Sequence, residues 1–459
     1  MHRTRALAPG SLLLSLVVLL LGACGGGGGG SGGSTQTPSV PPNTTLTLKL
    51  PAHGLAAADL GVIVIEGDAD SEAIANYYQT ARGIPKANVV RVRLANRNDE
   101  ISAAEFAALK SQVDAQLPAG VQATLLTWRA PSRVLGSCAM SITSAMAFGY
   151  DPKYCGGCAD TAASAYYDSE SSRPFADLGL RPSMLLGAAT LAAAKPLIDR
   201  GVSADASYPG GEGWLVKTND FARNVRFTDW NNLPAQWSGQ LGLNVVDNGS
   251  GPASGNTISG KSNVLFYFTG LDVIANLASN SYRPGAVGDS LTSWAGVLPD
   301  ALGQTTVTAW LDAGLTGSYG TVEEPCNFPQ KFSRASVLID QYSRGATLIE
   351  AYWKAVEWPG QGLFVGEPLA QPFRDAPSLA IVGNQYQVKS RALRVGANYS
   401  LQYRVSNSSN WVTLGSFTGT RGAAQTQTAP LAPAEATQLR WMGPCPNNGA
   451  QQCVLASSS

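Results

Sequence analysis

Histidine is nearly missing from this chain: of 459 residues, only His2 and His53 carry an imidazole. That removes most of the proton shuttles and nitrogen ligands on which hydrolases and metalloproteins rely. Charge is thin as well. Asp, Glu, Lys and Arg make up 14% of the residues, against about 25% in an average globular chain. The 32 basic side chains balance 32 acidic ones, and without a basic stripe the footprint of a nucleic-acid-binding protein is missing. The apolar run Ser11–Leu21 is shorter than the roughly 20 residues of a membrane-spanning helix. The Gly-rich stretch GSGPASGNTISG (249–260) lacks the Gly-Lys-Ser/Thr ending of a phosphate loop. A single C-x-x-C, Cys155 to Cys158, supplies half of a zinc site, and no second pair completes it.

What is present begins with an export signal. Arg3 and Arg5 precede the apolar run, which stops at LGAC (21–24). Basic start, apolar stretch and small-residue ending make a secretory signal. LGAC resembles the lipobox of bacterial lipoproteins, which implies a signal peptide over 1–23 and acylation of Cys24. Residues 24–45 are rich in Gly, Ser and Pro and offer almost no apolar side chains, the composition of a flexible tether. The expected partner of this end is a lipid bilayer, held firmly by two or more acyl chains. Gly25 is not an Asp retention signal, so in a two-membrane cell the outer membrane is expected rather than the inner.

Six cysteines remain: Cys138, Cys155, Cys158, Cys326, Cys445 and Cys453. An even count in an exported chain points to disulfides. Cys445 and Cys453 flank PNNGAQQ, whose Asn448-Gly449 is a hairpin-turn dipeptide, and are expected to pair. The connectivity of the other four stays open.

The periodicities give an α/β domain over 46–375. Leu60 to Ile65 reads as a strand buried on both faces. A helix capped by Asp68, Asp70 or Ser71 follows and ends at Gly83-Ile84-Pro85. Strands at 89–94 and 121–128 flank an amphipathic helix over 103–117. This β-α-β-α-β order predicts a mostly parallel sheet flanked by helices. Residues 129–212 read as a long insertion at the sheet's functional edge. Strands return at 242–247 and Val264–Phe268, a helix and strand lie in TTVTAWLDAGLTGSYGTV, and YSRGATLIEAYWKAV reads as one helix. From 376 to 459 the pattern alternates with period two, as in a small β-sandwich of fibronectin III type.

Eight stretches resemble a bacterial family associated with genomes that carry exosortase-type sorting systems. They are YYQTARGIPKANV, MSITSAMAFGYD, RPSMLL, LFYFTG, PGAVGDSLTSWAG, AGLTGSYGTVEEPCN, TLIEAYWK and GEPLAQPF, within residues 58–374. The resemblance brings no activity with it. The layout in turn resembles gingipain- and caspase-like cysteine peptidases, in which one strand ends beside the catalytic His and the next at the catalytic Cys. GEP (366–368) occupies the place of their closing GDP-like segment.

A Cys–His peptidase needs a thiolate and an imidazole close together. After LFYFTG the chain offers Thr269, Gly270 and Asp272 but no His; GDSLTSWAG offers Asp289, Ser290, Thr292 and Ser293 but no Cys. His53 falls in the approach to the first strand, read as disordered. Thr269, Gly270, Asp272, Asp289 and Ser293 are thus the expected lining of a cleft that binds without cleaving. Glu66, Asp68 and Asp70 read as capping groups rather than metal ligands. Glu323 and Glu324, adjacent in sequence, face opposite ways in a strand. No metal or cofactor is expected. The expected function is a binding or assembly protein of the cell envelope with a protein or peptide ligand; the alternative is a hydrolase acting on peptide or envelope polymer.

Overall fold

The computed structural model describes residues 42–406, 408–446 and 448–458. The expected signal peptide, Cys24 and most of the expected tether lie outside the described residues. Residues 42–459 form one compact unit with three hydrophobic clusters among the described residues.

The first half follows the expected alternation: β1 (Leu60–Ile65), α1 (Ala69–Arg82), β2 (Val89–Val92), β3 (Glu100–Ser102), α2 (Ala103–Gln116) and β4 (Ala123–Leu126). All six β1 residues are buried, as a strand covered on both faces requires. Asp68 caps α1, its carboxylate accepting from the Ser71 N–H at 2.6 Å. Ser102 and Glu105 form a capping box on α2. Next come β5 (Arg133–Leu135), β6 (Ala139–Ser141), α3 (Ile142–Phe148), α4 (Pro174–Leu178), β7 (Ser183–Leu185) and α5 (Leu191–Ala204). The second half holds β8 (Glu212–Lys217), α6 (Leu233–Gln236), β9 (Gly242–Asp247), β10 (Val264–Thr269), β11 (Tyr282–Ser290), α7 (Val307–Ala313) and β12 (Gly317–Thr321). It closes with α8 (Ala335–Ser343), α9 (Leu348–Ala355) and β13 (Gly362–Gly366).

Ten of these strands make one sheet, in the order β2-β1-β4-β7-β13-β12-β11-β10-β8-β9. Every neighbouring pair is parallel except β12 with β13. The sheet therefore consists of two parallel halves of opposite direction. The loops after β10 and β11 leave at the edge opposite to those after β1, β4 and β7.

Two expectations need correction. Residues 129–212 are not an insertion outside the sheet: β7 lies between β4 and β13, and α5 packs on α1 and β11. A three-residue strand is too short to show a period. The single helix expected over 342–356 is two helices. Gly345 adopts φ +100°, and a Cβ there would meet Asp375 N at 2.8 Å, so the chain must turn at glycine. Thr347 and Glu350 then restart the helix as a capping box.

The C-terminal region contains β14 (Ser378–Val382), β15 (Gln385–Lys389), β16 (Asn398–Val405), β17 (Val412–Thr418), β18 (Thr426–Pro430), β19 (Ala436–Cys445) and β20 (Asn448–Ser457). They form two antiparallel sheets, β14-β15-β18 and β17-β16-β19-β20. Both sheets share a core of Tyr386, Val388, Leu401, Phe417, Leu439 and Trp441. Leu48 and Leu50 join that core, and the Tyr386 hydroxyl donates to Leu46 O at 2.7 Å. Residues 46–50, expected to open the α/β domain, thus belong to the β core. Pro42 pairs with Pro433, so the described end of the expected tether is also part of the unit.

Three disulfides are present: Cys138–Cys155, Cys158–Cys326 and Cys445–Cys453. The last staples β19 to β20 as expected, although Asn448-Gly449 begins β20 rather than forming the turn. In the loop-entropy account a bridge stabilises by the length of chain it closes. The separations are 168 residues for Cys158–Cys326 and 8 for Cys445–Cys453, worth about 5 and about 2.6 kcal/mol. Removing each pair as a double Ala variant should therefore lower the urea midpoint about twice as far for the first as for the second. Equal losses would show that strain or residual unfolded-state structure, not chain closure, sets their contribution.

Candidate functional site

The edge after β10 and β11 is where a peptidase of the resembled type would carry its chemistry. Here it is filled from below by a guanidinium. Arg226 lies in the 3-10 turn Val225–Asp229 and is buried. It donates to the Asp289 carboxylate at 2.6 Å, to Thr269 O at 2.6 Å and to Ser333 O at 3.0 Å. The Ser333 hydroxyl donates to the other Asp289 oxygen. Burial pushes the Asp289 carboxyl above its ordinary range, while Arg226 and the Ser333 hydroxyl oppose that rise. Thr269 Oγ1 donates to Val216 O at 3.3 Å. Gly270 lies against the Arg223 carbonyl so closely that a Cβ would collide with it.

The expected cleft lining therefore divides. Thr269, Gly270 and Asp289 are buried and turned to internal partners. Asp272 is half-buried and accepts from the N–H of Val273 at 2.7 Å. Ser293 is 9% exposed. Its neighbour Thr292 donates to Gln304 at 2.5 Å and accepts from Arg223 Nε at 3.1 Å. Neither partner is a base that would draw a proton from a hydroxyl at neutral pH. Cys326 is tied to Cys158. Cys158, Cys326 and Glu324 lie within ligand distance of one another, but two disulfide sulfurs are not the thiolates a metal would need.

His53 overturns the reading of its segment. It is 6% exposed and packed where the chain start, the 168–173 loop, α8, α9 and the β domain converge. Its Nε2 is buried with no hydrogen-bond partner. Burial, then the Lys354 and Arg344 charges, hold its pKa well below 6.5, with Glu170 acting the other way. Glu170 accepts two bonds from Arg344 at 2.9 Å and one from Arg394 at 3.1 Å. Burial alone would raise its pKa; Arg344 outweighs this and brings it down to about 2. Lys354 is fully buried on α9, and burial lowers its pKa.

Beside this network is a cavity of about 300 Å³ between the α/β region and the β domain. His53, Glu170 and Arg173 form its polar side; Leu393, Tyr399, Trp441 and Leu455 form its apolar side. Apolar walls with few convergent polar groups and shifted pKa values are features of ligand sites. The sequence carried little signal for this. Glu170, Arg344, Lys354 and Arg394 are ordinary charged residues more than 200 positions apart at the extremes, and only the fold brings them together. Arg226 likewise lies in an unremarkable loop. No family model matches this chain, and neither a curated protein nor a solved structure matches it.

The two depressed pKa values act in one direction. In the unfolded chain His53 binds a proton near pH 6.5 and Glu170 near 4.5; the folded chain delays both. The unfolded state thus holds more protons on acidification, and stability falls. The urea midpoint should decline below pH 6.5 from His53, then again between pH 4.5 and about 2 from Glu170. His53→Gln should flatten the upper phase and leave the lower one. A wild-type midpoint constant from pH 7.5 to 5.5 would contradict the buried neutral imidazole.

Proposed function

We propose that this chain is an exported, lipid-anchored binding protein of the cell envelope, built on a caspase- or gingipain-like frame and related to the exosortase-associated family. The observation that carries the reading is Arg226. Its guanidinium and the Asp289 carboxylate fill the ground under β10 and β11 where a catalytic pair would face substrate. Binding then falls to the junction cavity, whose Tyr399, Trp441 and Leu455 suit aliphatic side chains of an extended polypeptide. His53 Nε2 and Arg173 would meet its polar backbone or a carboxylate. The C-terminal β domain, with its fibronectin III-like character, closes one wall of that cavity. Anchoring through an acylated Cys24 would hold this site at a membrane, the outer one in a two-membrane cell.

The competing reading, a hydrolase using Ser293, lacks a base beside the hydroxyl. Incubating residues 42–459 with a diverse peptide library, followed by mass spectrometry, separates the two. We expect retained but uncut peptides, with retention lost in Ser172→Trp, which fills the cavity, and unaffected by Ser293→Ala. Cleavage abolished by Ser293→Ala would restore the enzyme. Separately, Cys24→Ala in the full chain should move the protein from the membrane to the soluble fraction; equal partitioning with normal processing would reject the anchor.

A further inference from the structure

The chain is neutral as a whole, but its charge is unevenly placed. Residues 376–459 carry Lys389, Arg391, Arg394, Arg404, Arg421 and Arg440 against one acid, Glu435, a net side-chain charge of +5. Arg391 and Arg394 face the α/β region: Arg394 binds Asp168 and Glu170, and the Arg391 guanidinium lies over the rings of Tyr208 and Phe373. Arg404 and Arg440 do not.

They stand on the outer face of the four-stranded sheet. Gln402 pairs with Arg440 and Arg404 with Gln438 across β16 and β19, so all four side chains share one face. The other face holds Leu401, Leu439 and Trp441 in the core. Among the described residues each guanidinium donates through its Nε, Arg404 to Gln438 at 2.5 Å and Arg440 to Gln402 at 2.8 Å. Among the described residues no carboxylate pairs with either. Trp411 lies between them, its ring 5.0 Å from the Arg404 guanidinium and 4.3 Å from that of Arg440. The pKa of Arg440 is lowered, by partial burial and then by the Arg404 charge, as expected where two cations share a platform without an anion.

The platform also lies near the first described residues. Pro42 bridges Pro433, and Asn43 Nδ2 donates to Ala436 O at 3.1 Å. Ala436 pairs with Val405, next to Arg404. The 17 residues between Cys24 and Pro42 span at most about 60 Å. Resting on the anchor reading, this puts Pro42, the first described residue, near the two guanidiniums that lack a carboxylate partner among the described residues.

We propose that the Arg404–Trp411–Arg440 face docks onto the anionic phospholipid headgroups of the membrane that holds the anchor. The chemistry is complementary. Guanidiniums fork onto phosphate oxygens, and an indole at the headgroup level is a usual interfacial anchor. Arg404 and Arg440 are each only partly buried, and each commits its Nε to a glutamine rather than to an acid. The docked β domain then turns the junction cavity toward the envelope space rather than leaving it to swing on the tether.

Co-sedimentation of residues 42–459, which lack the anchor, tests the face independently of Cys24. Vesicles of phosphatidylglycerol mixed into phosphatidylcholine should bind the protein, pure phosphatidylcholine should not, and binding should weaken between 50 and 200 mM salt on the scale of the Debye length, about 14 to 7 Å. Arg404→Gln/Arg440→Gln should reduce partitioning about tenfold or more, since each basic residue near an anionic surface contributes several-fold. A charge-matched control, Arg93→Gln/Arg283→Gln on the α/β region, should bind as wild type, with melting temperatures confirming that both variants are folded. Equal binding to both vesicle types, an equal loss in the control, or no loss in the Arg404/Arg440 variant would overturn the proposal. Binding to a soluble sulfated polysaccharide without binding to vesicles would overturn it too. Failure of Cys24→Ala to release the full chain would instead strike the anchor alone.

Discussion

One strand pairing organises this molecule: β12 against β13, the antiparallel seam in an otherwise parallel sheet. Parallel neighbours demand long crossovers, whereas an antiparallel return lets the chain come back through the middle. The chain uses α8 and α9 for that return and enters beside β7. The seam ends at Gly366, whose φ of +136° and contact with the Thr316 carbonyl exclude a side chain. Glu367 follows, buried, and takes the Tyr78 hydroxyl at 2.6 Å and Arg82 Nε at 3.0 Å from α1. A strand of the second half's return is thereby bonded to a helix of the first half. Because the halves run in opposite directions, their functional edges are opposite as well, and neither edge borrows side chains from the other.

Buried ions hold the remaining joints. Arg82 with Glu367, Arg226 with Asp289, and Arg344 with Glu170 all have side chains no more than 11% exposed. Taking such charges out of water costs several kcal/mol per ion, and Coulomb attraction with hydrogen bonds offsets it only when the geometry is complete. The acids are well provided: Glu170 meets two guanidiniums, Asp289 a guanidinium and a hydroxyl, Glu367 a guanidinium and a phenol, although Arg226 Nε is buried without a partner among the described residues. Removing one partner leaves a buried charge uncompensated, the expensive outcome. Pairs of this kind add less to net stability than to the choice of one arrangement over others. In this chain they join pieces far apart in sequence, Asp289 with Arg226 and Glu170 with Arg344 and Arg394.

That long range explains what could be read from the sequence and what could not. Runs such as LGVIVI and GLNVVD, and the Asp68 cap, announce themselves locally through period, burial and capping chemistry, and β1, β9 and α1 begin and end close to where those signals fall. The parallel sheet and the Cys445–Cys453 bridge were legible for the same reason. A strand of three residues such as β7 has no period to detect, and β14 and β18 lie among turn-rich pieces. The segment of His53 has little apolar pattern of its own, which hides its place: Leu48 and Leu50 pack on a β core more than 300 residues away. The position of Asp289 at a strand end suggests a cleft residue. Its partner Arg226, which decides what Asp289 does, left no local trace.

The plug and the cavity bear on each other through α8 and α9. Ser333, just before α8, holds Asp289, while Arg344, just after it, holds Glu170. Tyr352 on α9 donates to Gly288 O at 3.3 Å on β11, and Lys354, two residues on, is buried among the groups around His53. The same two helices therefore fix the filled edge of the second half and one wall of the junction cavity. A movement that withdrew Arg226 and opened the edge would have to shift Ser333 and, with it, the start of α8. Packed helices of this kind resist small displacements because their cores are close-packed. The filled edge and the shaped cavity are consequently two results of one packing arrangement. A chain that places a guanidinium under its strand ends keeps its buried imidazole and its open space on the other side of α8 and α9, against the β domain.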